Sequence, residues 1–148
     1  MKKPLTNTRT IYLVDDDQED RELFSEALSQ VDKAVQLTEF HNCYKLLEAL
    51  ENLATAKPDI ILLDMDLPKL GGLECLKKIK TSNTLKDLKV LMLSTFSHPQ
   101  YIDEAYTSGA SFYYVKPTKF PKLKEVIFHA LNENWNDARS KTNFVLKF

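Results

Sequence analysis

A chain of 148 residues is the size of one domain, and 43% apolar with 28% charged residues supplies both a hydrophobic core and a well-solvated surface. A formal net charge of -1, with Lys and Arg spread along the chain, leaves no basic stripe for direct nucleic-acid binding. The longest apolar runs are strand-sized, and Met1-Lys2-Lys3-Pro4 leads into polar residues, so neither a membrane span nor a secretory leader is expected and the cytoplasm is the expected compartment.

From Thr10 to Asp15 a short apolar run ends in carboxylates, the pattern of a strand buried on both faces whose charged end reaches solvent. Leu23, Phe24, Ala27, Leu28 and Val31 then recur at helical spacing, with Asp17 and Asp20 placed where a helix N-terminus favours acidic residues. Val35 to Phe40 alternates apolar and polar residues as an edge strand does. Asn42 is a cap for the helical pattern of Leu46, Leu47, Leu50 and Leu53, which Lys57-Pro58 ends.

Asp59 to Asp64 is a second nearly all-apolar run that stops at an aspartate. Pro68 and Gly71-Gly72 mark a turn before a helix with Leu73, Leu76 and Ile79 inward and Lys77, Lys78 and Lys80 outward. Leu88 to Ser94 is another buried-type strand, Ser97 and Pro99 open a fourth helix that Gly109-Ala110 closes, and Phe112 to Lys116 forms a fifth strand. The last helix begins near Thr118, with Phe120, Leu123, Val126, Ile127, Ala130 and Leu131 as its core stripe.

Five strand-helix alternations with short connections predict an α/β fold, a flavodoxin-like (βα)5 three-layer sandwich with its parallel sheet in the order 2-1-3-4-5. The domain is expected over residues 9–132, with 133–148 a C-terminal extension, and no separate output domain fits. In that extension Trp135, Phe144, Val145, Leu146 and Phe148 are apolar groups in a polar stretch. They are expected to pack back on the domain, with a partner or a second copy, and hence a homodimer, as the alternative. Cys43 and Cys75 lack a CxxC spacing and are read as two reduced, packed thiols, while His41, His98 and His129 are scattered and read as surface or loop residues.

In an open parallel sheet of this order, ligands bind beyond the carboxyl ends of strands one and three, where the connections reverse direction. Asp15, Asp16 and Asp64 end those two strands, so three carboxylates converge and call for a hard divalent cation. Aspartates that merely cap helices are the plain alternative, sufficient for one such residue but not for three at facing strand ends.

Val14-Asp15-Asp16, Asp64-Met65-Asp66-Leu67-Pro68 with Gly72, Ser94, and Tyr113 with Lys116-Pro117 together resemble the receiver domains of two-component response regulators, most closely the stand-alone, chemotaxis-type ones. The resemblance implies that Asp64 is a phosphoacceptor served by a sensor histidine kinase or a histidine phosphotransfer protein. It implies Mg2+ held by Asp15, Asp16, Asp64 and the Asp66 backbone carbonyl, and Lys116 on a phosphoryl oxygen. Ser94 and Tyr113 are then the switch pair, and helix 1 near Gln18 to Glu22 is the docking face for the donor. Such a chain catalyses only its own phosphorylation and dephosphorylation, and its downstream target is not named by the sequence.

Thr95 departs from the alanine or glycine usual after Ser94 and is expected to slow entry to the site, while Asp66 and Phe96 stand where side chains influence attacking water. Leu62 to Asp66 also resembles the aspartate-x-aspartate strand end of haloacid-dehalogenase-type phosphatases. In that family, however, the motif follows the first strand and the extra acidic pair comes late. A binding module that keeps the fold without phosphorylation is the remaining alternative, and the full set of site residues argues against it.

Overall fold

The computed structural model describes residues 10–132 and 143–146. In chain order the elements are β1 (Thr10–Val14), α1 (Gln18–Val31), β2 (Gln36–Phe40), α2 (Cys43–Glu51), β3 (Ile60–Asp64), α3 (Gly72–Thr81), β4 (Lys89–Ser94), α4 (Pro99–Thr107), β5 (Phe112–Val115), α5 (Phe120–Asn132) and β6 (Val145–Leu146). The sheet runs β2-β1-β3-β4-β5-β6, every pairing parallel. The expected order holds for five strands, and the C-terminal segment adds a sixth at the β5 edge.

Successive strand residues point to opposite faces, and the central strands are apolar on both. Ile11, Leu13, Ile60, Leu62, Leu91, Leu93 and Tyr114 face α1 and α5, where Phe24, Leu28, Val126 and Ile127 meet them. Tyr12, Val14, Ile61, Leu63, Val90, Met92 and Tyr113 face the other way, onto Leu46, Leu50, Leu76, Ile79 and Ala105 of α2, α3 and α4. β2 lies at one edge of the sheet and carries no fully buried residue, as its alternating pattern implies.

The helix termini follow local chemistry. Asp17 caps α1 by accepting from the backbone N–H groups of Glu19 and Asp20, and Asn42 caps α2 through Lys45 N at 2.8 Å. The cap of α4 is His98, whose Nδ1 accepts from Gln100 N at 3.3 Å, in place of the expected Ser97; Pro99 takes the first helical position. Gly109 adopts φ 104° and lets the chain turn from α4 into β5.

Other expectations are corrected. Leu23 lies 47% exposed on the outer face of α1, and Leu53 falls beyond the end of α2 at 94% exposure. The Lys80 ammonium does not stand in solvent; it donates to the Leu88 and Lys86 carbonyls at 2.6 and 2.9 Å. His129 is a half-buried residue of α5 whose Nδ1 lies 2.7 Å from the Tyr114 hydroxyl, rather than a loop residue. Cys43 and Cys75 are disulfide-bonded, joining α2 to α3, with Cα atoms 6.0 Å apart. Their distance in sequence concealed a contact that only helix packing creates. Phe144, by contrast, packs back onto the domain as expected and is buried, while Trp135 and Phe148 lie outside the described residues.

Candidate functional site

The carboxyl edge of the sheet is pinned by ladder hydrogen bonds that run past the strands themselves. Asp15 N donates to Phe40 O at 3.1 Å, Met65 N to Leu93 O at 2.8 Å and Lys116 N to Ser94 O at 2.7 Å. Three separate strand ends thereby hold their functional side chains at the same level, where the connection from β1 goes to one side of the sheet and that from β3 to the other.

Asp15, Asp16 and Asp64 do converge: each offers a carboxylate oxygen within 4.8 Å of the others. Asp15 and Asp64 are buried, while Asp16 is exposed and faces outward toward solvent. Backbone donors preorganise the buried pair, with Asp17 N bonded to Asp15 Oδ1 at 3.0 Å and Asp66 N to Asp64 Oδ1 at 2.9 Å. The other oxygen of each carboxylate faces Lys116, whose Nζ lies 3.0 Å from Asp64 Oδ2 and 3.3 Å from Asp15 Oδ2.

A further carboxylate, Asp20 on the first turn of α1, reaches the same ammonium at 3.5 Å. Sequence reasoning gave Asp20 to the helix dipole and to the Gln18 to Glu22 docking face, not to the carboxylate cluster. Asp15 and Asp16 precede the helix, so no helical spacing related Asp20 to them.

Burial raises the Asp15 carboxyl to about 6 from an ordinary 3.8, against the opposing pull of the Asp17 amide and Lys116, with the Asp64 charge adding to the rise. Lys116 is held protonated far above its ordinary range, because Asp64 and Asp15 outweigh its own desolvation. Partial burial and the neighbouring Asp64 likewise raise Asp66. An excess of carboxylates over one ammonium, all oxygen donors, fits a hard cation with oxygen ligands.

Gly72 is what allows α3 to start against this site. A Cβ there would lie 2.1 Å from Asp64 O and 2.7 Å from Met65 Cα, so only glycine admits the close approach. The one positive φ in the turn falls at Lys69, at 60°, not at the glycine pair that the sequence marked.

Ser94 ends β4 fully buried, with its Oγ accepting from Phe96 N at 3.0 Å. Tyr113 is also fully buried. Its hydroxyl donates to Phe96 O at 2.7 Å, and Ser94 interacts with it against the burial that raises the phenol. The aromatic ring thus lies within the core. Thr95 lies exposed over the site, its hydroxyl 3.5 Å from Asp66 Oδ2, and Phe96 is 53% exposed beside Tyr101.

Comparison with known proteins agrees with this geometry. Cyanobacterial phytochrome response regulator RcpA, in its phosphorylated form, superposes with a TM-score of 0.76 at 29% identity over 83% of this chain and 91% of that one. Response regulator Rcp1, solved with Mn(2+) bound, gives 0.74 at 25% identity over 89% and 99%. Chemotaxis protein CheY1 of Helicobacter pylori is 28% identical over 84% of this chain and 98% of its own length. Two-component response regulator ARR12 of Arabidopsis thaliana is 30% identical over 87% of this chain, which spans 21% of that relative and about half of two other regulators. The response regulator receiver domain pattern matches residues 11–128, and the chain therefore belongs to the receiver domains of two-component response regulators.

Proposed function

We propose that this receiver accepts a phosphoryl group on Asp64 in a Mg2+-dependent reaction and uses it to switch a partner-binding surface. The observation that carries the proposal is the meeting of Asp15, Asp16 and Asp64 around one point, with Lys116 against Asp64. An Asp64 carboxylate oxygen attacks the phosphorus of a donor phosphohistidine, the P–N bond breaks, and the imidazole leaves with its electron pair. The phosphohistidine belongs to a sensor histidine kinase or a histidine phosphotransfer protein docking at α1.

Asp15, Asp16, Asp64 and the Asp66 carbonyl would hold Mg2+, which supplies charge neutralisation for the transferring group. The chain's own residues do the remaining work. Asp66 N orients the nucleophile, Lys116 exchanges its Asp64 contact for a phosphoryl oxygen, and the Ser94 hydroxyl turns from Phe96 N to donate to that group. Ser94 and Tyr113 then form the two-state element of α4, β5 and α5, biased by about 1–3 kcal/mol. On this reading the chain catalyses only its own phosphorylation and dephosphorylation, in the cytoplasm.

The test is intact-mass measurement after incubation with acetyl phosphate, with and without Mg2+, for the wild type and Asp64→Asn. The expected result is a gain of one phosphoryl group that needs both the metal and Asp64. A gain that persists in Asp64→Asn sinks the assignment.

A further inference from the structure

In a five-stranded sheet of this order β5 would be an edge, its outer backbone groups open to water or to another strand. Here the chain covers that edge itself. Tyr113 N donates to Phe144 O at 2.9 Å, and the register places Tyr113 opposite Val145 and Tyr114 opposite Leu146. Phe144 is 1% exposed, seated edge-on against Tyr106 of α4 with ring centroids 5.1 Å apart and tilted against Tyr113 at 6.3 Å.

Tyr113 is therefore held at three points: its hydroxyl by Phe96 O, its amide by Phe144 O, and its ring by the Phe144 ring. Phe96 N in turn bonds Ser94 Oγ. An unbroken run of contacts leads from the strand end beside Asp64, through Ser94, Phe96 and Tyr113, to the C-terminal segment. Without that segment the β5 backbone would be an open edge and the Tyr113 ring would lose its contact with Phe144.

We infer that residues 144–146 are a built-in effector of the switch: seated on β5, they hold Tyr113 inward and so favour the phosphorylated form of Asp64. The inference rests on the phosphoacceptor reading. Two groups that favour one packing must strengthen each other by the same factor, so phosphorylation also tightens the seat of the tail.

The test uses the full chain with Mg2+ and beryllofluoride, a phosphoryl mimic, in wild type, Phe144→Ala and the volume-conserving Phe144→Leu. Beryllofluoride is expected to slow amide exchange at Tyr113 and at 144–146 in the wild type. Phe144→Ala should weaken beryllofluoride binding roughly fivefold or more, and Phe144→Leu should restore most of it; if the alanine variant does not fold, the leucine variant must still bind measurably more weakly than wild type. Equal affinities in wild type and the folded variants overturn the inference, as does tighter binding in Phe144→Ala, which would make the tail an inhibitor. Protection of 144–146 that falls on dilution also overturns it, because the strand would then come from a second copy. A wild type that takes up no beryllofluoride with Mg2+ is a different failure: the phosphoacceptor reading itself falls, and the coupling with it.

Discussion

Lys116 is the ammonium that meets Asp15, Asp20 and Asp64 at the sheet edge, and its three contacts show how a residue's role depends on neighbours far away in sequence. Asp64, Asp15 and Lys116 were legible because each ends a strand of recognisable type, so its level in the sheet follows from the pattern. Asp20 was not, since an acidic residue in a first helical turn has a sufficient local reason to be there. Gly72 illustrates the converse. The sequence marked it as a turn residue, whereas the contact distances make it a point of close approach between α3 and the Asp64 backbone. Gly72→Ala should therefore cost about 2–4 kcal/mol through overpacking against immovable backbone. Urea unfolding checks this, and a variant within about 0.5 kcal/mol of wild type would show that α3 can shift freely.

Between elements, the disulfide joining the first residue of α2 to the middle of α3 closes a loop of sequence separation 32. Cross-linking over that length constrains the unfolded chain by about 3–4 kcal/mol on the loop-entropy account. Both sulfurs are buried, so in the folded protein the bond is screened from the thiols of a reducing compartment. Alkylation in denaturant is expected to label neither cysteine until reductant is added, and prior reduction should lower the urea midpoint. Labelling of both cysteines without reductant would return them to the packed thiols that their spacing suggested. No spacing rule could have paired them, because the pairing is decided by where two amphipathic helices cross the same face of the sheet. The same holds for Leu53 and Leu23, whose apolar character fits the helical period but whose positions fall past a helix end and on an outer face.

At the scale of the whole molecule, the burial of Asp15 within the charge cluster opposes stability. Asp15 titrates near 6 in the folded chain and near 3.8 when unfolded, so between those values the folded state holds more protons. Stability is thus lost as pH rises from about 4 to about 6, by on the order of 2–3 kcal/mol from this group in the absence of divalent metal. Denaturant unfolding in chelator across pH 4–7 should reveal that slope, and Asp15→Asn should flatten it; an equal slope in the variant would assign the loss elsewhere. The same proton competes with a cation, so Mg2+ affinity should weaken as pH falls below about 6, by up to tenfold per unit.

Composition, strand-helix alternation and two apolar runs ending in aspartate were enough to specify a parallel five-stranded sandwich and the rim on which its chemistry sits. A strand buried on both faces must be apolar throughout and can turn polar only where it emerges, so the site is written into the pattern itself. What only the tertiary structure decided are the contacts between elements that no period relates. These are the Asp20 approach to Lys116, the Cys43–Cys75 bond, the Tyr114–His129 pair, and the seat of Phe144 beside Tyr113 under a two-residue sixth strand. Two residues are too few to show a period, and a strand that short exists only because a ready-made edge pairs with it.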